Sequence, residues 1–141
     1  MTQPIKLFVI DDHDEVREAL IIRLCAAPGV LIVGEAKTTE AALEEINTLR
    51  PDVVLLEIKR ADGRGLELVS RIAQGDSGAQ VIALTSYLNE WEQWAVHQAG
   101  AVGYFLKDIG STRLLLEQIR QAVIFDPPES ALGLAAHFLP G

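Results

Sequence analysis

The sequence predicts an α/β fold: a parallel sheet with helices on both faces. Two observations carry this. Five short runs of aliphatic residues alternate with five segments whose apolar residues recur at helical spacing. The aliphatic runs are continuous rather than alternating, the pattern of strands buried on both faces. Strands separated by helices imply right-handed crossovers in one sheet. The 141 residues are 49% hydrophobic and 23% charged, enough for one domain with its own core.

The first strand is read over Ile5–Ile10 and runs into Asp11-Asp12. A helix opens at Asp14 with Val16, Ala19, Leu20 and Leu24 at helical spacing, and Pro28-Gly29 stops it. Val30–Val33 is the second strand, closed by Gly34. The second helix carries Ala42, Ile46 and Leu49, with Thr38 or Thr39 as N-cap and Pro51 as its stop. Val53–Leu56 is the third strand and delivers Glu57. The third helix carries Leu66, Val69 and Ala73. Val81–Leu84 is the fourth strand, reaching Thr85-Ser86. Trp94, Ala95 and Ala99 line the core side of the fourth helix, which stops at Gly100, while Trp91 is the exposed aromatic. Val102–Leu106 forms a short fifth strand, interrupted by Gly103. Ser111 caps a fifth helix carrying Leu115, Ile119 and Val123. The pattern ends after Ile124, so the domain is read as 1–124, with 125–141 a linker or tail too short for a helix-turn-helix module.

Charge and composition exclude several classes. The net charge is −8, opposite to the clustered basic surface that nucleic acid requires. No apolar run is long enough to span a bilayer, and Met1-Thr2-Gln3-Pro4 lacks the features of a signal peptide. One cysteine, Cys25, excludes an internal disulfide and fits the cytoplasm. His13, His97 and His137 have no metal-ligand spacing.

Ligands of an open parallel sheet collect at the C-terminal ends of its strands. There the sequence puts Asp11-Asp12, Glu57, Thr85-Ser86 and Lys107-Asp108. Neighbouring carboxylates repel unless a cation intervenes, and Mg²⁺ suits oxygen ligands. An amine and a hydroxyl beside it suit a phosphoryl group.

These residues carry a resemblance. "VIDDHDEVR" (9–17), "PDVVLLEIKRADGRGLEL" (51–68), "ALTSY" (83–87) and "AGAVGYFLKD" (99–108) resemble the receiver domain of two-component response regulators, most closely the NarL/LuxR type. The resemblance implies the flavodoxin-like three-layer fold, strand order 2-1-3-4-5, and signal reception rather than enzymatic catalysis. It also implies roles. Asp11 and Asp12 match the metal-binding acids, and Lys59 the residue whose backbone carbonyl completes a Mg²⁺ site. Thr85 matches the switch hydroxyl, Tyr104 the switch aromatic and Lys107 the phosphate-binding amine. The partners implied are a sensor histidine kinase, an attached DNA-binding output, and a second copy. That copy would meet the fourth helix–fifth strand–fifth helix face or the first and fifth helices.

Glu57 departs from the pattern, standing where the family has its phosphoacceptor aspartate. One extra C–C bond, about 1.5 Å, moves the carboxylate out of place, and a misplacement of about 1 Å costs on the order of 100-fold in an in-line attack. The expectation is an atypical receiver, not phosphorylated conventionally, that binds Mg²⁺ weakly or not at all through Asp11, Asp12 and Glu57. As a phosphate mimic, Glu57 would meet Lys107 or Thr85, with Tyr104 inward. As a silent replacement it would face the metal pocket or solvent, with Tyr104 outward. Ala61 stands where the family loop has proline, and Arg64 precedes Gly65. The alternatives are a Mg²⁺-dependent receiver that uses Glu57 or Asp62 as acceptor, a small haloacid dehalogenase-like phosphatase with Asp12 and Asp14, and a dimerisation or adaptor module.

Overall fold

The computed structural model describes residues 3–108 and 112–124. Ser111, read as a helix cap, and the segment 125–141 lie outside the described residues. Strands and helices alternate as β1 (Ile5–Ile10), α1 (Asp14–Cys25), β2 (Val30–Ala36), α2 (Thr39–Leu49), β3 (Val53–Glu57), α3 (Gly65–Ala73), β4 (Gln80–Thr85), α4 (Glu90–Ala99), β5 (Gly103–Leu106) and α5 (Thr112–Ile124). The sheet is parallel throughout, in the order β2-β1-β3-β4-β5.

The strand order reverses between β1 and β3, which are direct neighbours: Leu7 pairs with Val53 and Ile10 with Leu56. That register brings the ends of β1 and β3 level. Val53 to Glu57 are all buried, as a central strand covered on both faces must be. On one face Phe8, Ile10, Val54 and Leu56 pack with Ile46 of α2, Leu68 and Ile72 of α3, and Val96 of α4. On the other, Leu7, Val9 and Leu55 pack with Leu20 and Leu24 of α1 and Leu115 and Ile119 of α5. Among the described residues no helix is long and apolar enough to cross a membrane.

Three elements differ from the sequence reading. Gly34 does not close β2: the strand continues through it to Ala36, with a register shift opposite Leu7 and Phe8. A Cβ at Gly34 would lie 2.7 Å from the Phe8 ring and 2.9 Å from Leu49, so glycine here makes room for a core aromatic. Strand β5 starts at Gly103, leaving Val102 outside it and 40% exposed. Trp94 is 54% exposed rather than core. The buried residues of α4 are Ala95 and Val96, and at ~100° per residue Trp94 projects from nearly the opposite side of the helix. Smaller departures of the same kind are Val16, Leu49 and Val123, on the outer flanks of their helices.

Candidate functional site

Strands β3 and β4 end in Glu57 and Thr85, and β1 and β5 lead into Asp11 and Lys107 at the same edge of the sheet. Asp11, Glu57 and Thr85 are all buried there, with exposures of 2%, 1% and 0%. Lys107 follows β5, its backbone N–H donating to the Thr85 carbonyl at 2.8 Å. The side chain then reaches back across the sheet. Its ammonium donates to Asp11 Oδ2 at 2.9 Å and forms an ion pair with Glu57 Oε2. The other Glu57 oxygen accepts the Lys59 N–H at 2.8 Å. Both oxygens of Glu57 are thus engaged by groups of the protein. Burial opposes the charge on Lys107, but its contacts with Glu57 and Asp11 outweigh this and raise its pKa.

Asp12 is turned toward the β3–α3 loop, where Oδ2 accepts the Ala61 N–H at 2.7 Å. Its Oδ1 is buried without a hydrogen-bond partner among the described residues. His13 Nδ1 lies 3.1 Å from that oxygen and 3.3 Å from Asp11 Oδ1, a charge pairing only when the imidazole is protonated. Asp11, Asp12 and His13 present ligand atoms within 4.8 Å of one another. His13, which has no metal-ligand spacing in the sequence, is exposed, yet its ring borders the acids. Asp12, with Asp11 beside it, suits a hard divalent cation, because a buried carboxylate oxygen that accepts no hydrogen bond is what such an ion satisfies.

Thr85 does not meet Glu57. Its hydroxyl lies 2.7 Å from Glu92 Oε1 and 2.9 Å from the Tyr87 carbonyl. Tyr104, partly buried against the α4 side of the core, donates its hydroxyl to the same Glu92 oxygen at 2.6 Å. Lys59 Nζ completes the set, 2.5 Å from Glu92 Oε2 and 4.0 Å from the centre of the Tyr87 ring. Burial would raise the Glu92 pKa, yet hydrogen bonds from Lys59, Tyr104 and Thr85 lower it, so the carboxylate is charged at neutral pH.

The sequence reading missed Glu92, though a local signal existed. Asn89-Glu90-Trp91-Glu92 fits a capping box, in which the glutamate at the third helical position returns to the N-cap N–H. Asn89 does cap the helix, accepting the Glu92 N–H at 2.9 Å. The reciprocal bond is replaced: the Asn89 N–H donates to the Tyr104 hydroxyl at 3.1 Å. The Glu92 carboxylate is thereby released toward Thr85.

The β3–α3 loop is held by charge and close packing. A Cβ at Gly65 would sit 2.2 Å from the Ile58 carbonyl oxygen, so only glycine permits this return of the chain. Arg60 is buried beneath the loop; it donates to the Lys37 carbonyl at 2.7 Å and pairs with Asp62 at 3.3 Å. Nε, the atom of that ion pair, makes no hydrogen bond, and Nη1 has no hydrogen-bond partner among the described residues. Asp62 also accepts the Thr39 hydroxyl and the Arg64 N–H, both at 2.9 Å.

The response regulator receiver domain profile matches residues 7–120. The chain belongs to this family. As a receiver of two-component signalling it stands close to the NarL/LuxR-type regulators. It is 36% identical over 110 residues to the DNA-binding transcriptional activator DevR/DosR of Mycobacterium tuberculosis, covering 78% of this chain and 51% of that protein. It is 34% identical over 119 residues to the response regulator GacA of Pseudomonas aeruginosa, covering 84% and 53%. The receiver therefore spans about half the length of these relatives. The response regulator domain of Thermotoga maritima CheB superimposes with a TM-score of 0.80 at 28% identity, covering 89% of this chain and all of that one.

Proposed function

We propose that this receiver regulates by protein–protein contact from a site that takes no phosphoryl group, as a pseudo-receiver. The observation that carries the proposal is the engagement of Glu57. Its carboxylate is buried, pairs with Lys107 and accepts the Lys59 N–H. An acceptor must present a free carboxylate oxygen in line with the incoming phosphorus. Glu57 is a methylene too long and has both oxygens occupied. Lys107, the amine that would pair with a bound phosphoryl group, already has its counter-charge. Asp62 is a poor substitute, since Thr39, Arg60 and Arg64 hold its carboxylate at the α2 side of the loop.

Glu57 also offers part of what phosphorylation would supply. It sets one negative charge against Lys107, compared with about −1.5 to −2 for a phosphate ester. Asp11, Asp12 and the Lys59 carbonyl are the groups that would hold Mg²⁺, and the ion would neutralise Asp12, which Lys107 does not reach. The regulated element would be an attached DNA-binding output, as the name of the DevR/DosR relative suggests, or a partner protein. A sensor histidine kinase would serve as a docking partner rather than a phosphodonor. The exposed Tyr87, Leu88, Trp91 and Trp94 favour the α4–β5–α5 face for self-association, because exposed aromatics are enriched in interfaces.

The test is intact-mass spectrometry after incubation with Mg²⁺ and a small phosphodonor such as acetyl phosphate. The native chain is expected to gain no phosphoryl group, and Glu57→Asp to gain one. A stable adduct on native Glu57 or Asp62 would defeat the proposal.

A further inference from the structure

We infer that Glu92 is a positioning residue that competes with any phosphoryl group for the Thr85 hydroxyl and holds Thr85 and Tyr104 in one arrangement whatever occupies position 57. This rests on the reading of Thr85 and Tyr104 as the pair through which a receiver reports its site.

The geometry is that of a built anion site already filled from within. Glu92 Oε1 sits 2.7 Å from the Thr85 hydroxyl and 2.6 Å from the Tyr104 hydroxyl, and Oε2 sits 2.5 Å from Lys59 Nζ. The Glu92 side chain is 14% exposed and Thr85 is fully buried, so water competes poorly for these bonds. Hydrogen bonds to an ionised acceptor are roughly twice as strong as neutral ones. A hydroxyl has one proton to donate, and Glu92 at 2.7 Å and the Tyr87 carbonyl at 2.9 Å already compete for it, so Thr85 cannot serve Glu92 and a phosphoryl oxygen at once. Tyr104 is tied to the same carboxylate and to the α4 N-cap, through the Asn89 N–H. The two switch side chains therefore share one acceptor on α4. Lys59, two residues beyond Glu57, ties that acceptor to the β3–α3 loop.

A restored acceptor should then be loaded at a penalty. Phosphoryl binding at the shorter carboxylate of a Glu57→Asp chain would have to draw Thr85 away from Glu92. The experiment uses beryllofluoride with Mg²⁺ as a stable phosphoryl analogue. Its affinity is measured by calorimetry in Glu57→Asp and in Glu57→Asp/Glu92→Gln, and again in both chains with Thr85→Ala added. Removing the charge at Glu92 should tighten binding about tenfold when Thr85 is present and leave it unchanged when Thr85 is absent. A general loosening of the fold would change affinity in both backgrounds. Equal affinities in the Thr85-containing pair, or the same change with and without Thr85, would overturn the inference.

Should Glu57→Asp bind no beryllofluoride, the native chain answers by NMR without any ligand. The Thr85 methyl and Tyr104 ring resonances should move together in Glu92→Gln and stay in place in Glu90→Gln, a neighbour on the same helical turn. Unmoved resonances in Glu92→Gln would overturn it. Phosphorylation of the native chain would defeat the proposed function without touching either result.

Discussion

Replacing Lys107 by methionine isolates what the ion pair does for the fold. Lys107 is the shared counter-charge of Asp11 and Glu57, both at most 2% exposed. Removing one partner of a buried pair costs about 3–5 kcal/mol, because a charge is left buried without compensation. The lower end applies, since Asp11 keeps the His13 N–H at 2.8 Å and Glu57 keeps the Lys59 N–H. Methionine also preserves most of the aliphatic stem. With a urea m-value of about 2 kcal/mol/M for a domain of this size, a loss of about 3 kcal/mol lowers the midpoint by about 1.5 M. The measurement is urea unfolding followed by circular dichroism at neutral pH with chelator present. Removing a carboxylate as well, in Glu57→Gln/Lys107→Met, should recover about half of the loss, and Mg²⁺ should recover part of it in Lys107→Met alone. The pH dependence has a definite sign. The folded pKa of Lys107 is raised, so its contribution is fully present below the unfolded value of about 10.4 and fades as pH rises through the folded value. A midpoint unchanged in Lys107→Met, with m unchanged, would refute the assignment of the buried acids to this lysine.

Other outcomes follow from the same geometry. Mg²⁺ titration followed by tryptophan fluorescence should give weak, saturable binding that disappears in Asp12→Ala; equal binding in that variant would put the ion elsewhere. Trp91→Ala should reduce self-association in sedimentation velocity at high concentration, while Ile22→Ala, an exposed residue of α1, should not; a native chain that stays monomeric removes the α4 face as an interface. Gly65→Ala forces a Cβ against the Ile58 carbonyl oxygen, and overpacking of this kind costs about 1–3 kcal/mol. A thermal midpoint equal to that of the native chain would show that the loop gives way freely.

The sheet was legible because its signals are redundant. The strands are short, mainly apolar runs, each crossover has helical periodicity, and Pro28-Gly29 and Gly100 mark two of the stops. Periodicity fails where a residue's environment is set by something distant in sequence. Trp94 reads as core by its chemistry, but the small residues Ala95 and Val96 already fill the space under α4. Gly34 reads as a terminator, yet its role is set by Phe8 on the neighbouring strand. The gathering of Asp11, Glu57, Thr85 and Lys107 was legible from strand ends alone, since parallel strands bring their C-terminal ends to one edge. Their pairing was not. Glu92 lies beyond Thr85 across a turn and a helix start, and its local pattern advertises a helix cap. Only the placement of Tyr104 over the Asn89 N–H turns that carboxylate into a neighbour of the site.

Arg60 has a consequence for how the β3–α3 loop keeps its shape. Where a proline would stiffen such a loop through its ring, here a guanidinium reaches beneath it to the Lys37 carbonyl and draws the β2–α2 connection into the same unit. The stiffness is ionic and long-range rather than covalent and local, and it carries a cost, for the guanidinium is buried, with Nη1 lacking a hydrogen-bond acceptor and Nε held only by the ion pair with Asp62 among the described residues. Methionine in its place would remove that desolvation cost, but it would also leave the Lys37 carbonyl and Asp62 without their guanidinium partner. Global stability and local order would then respond differently: in Arg60→Met the two effects on the melting midpoint oppose one another, while amide exchange at Asp62 and Gly63 would quicken. The loop beside Glu57 owes its fixed form to a buried charge that ties it to the neighbouring connection.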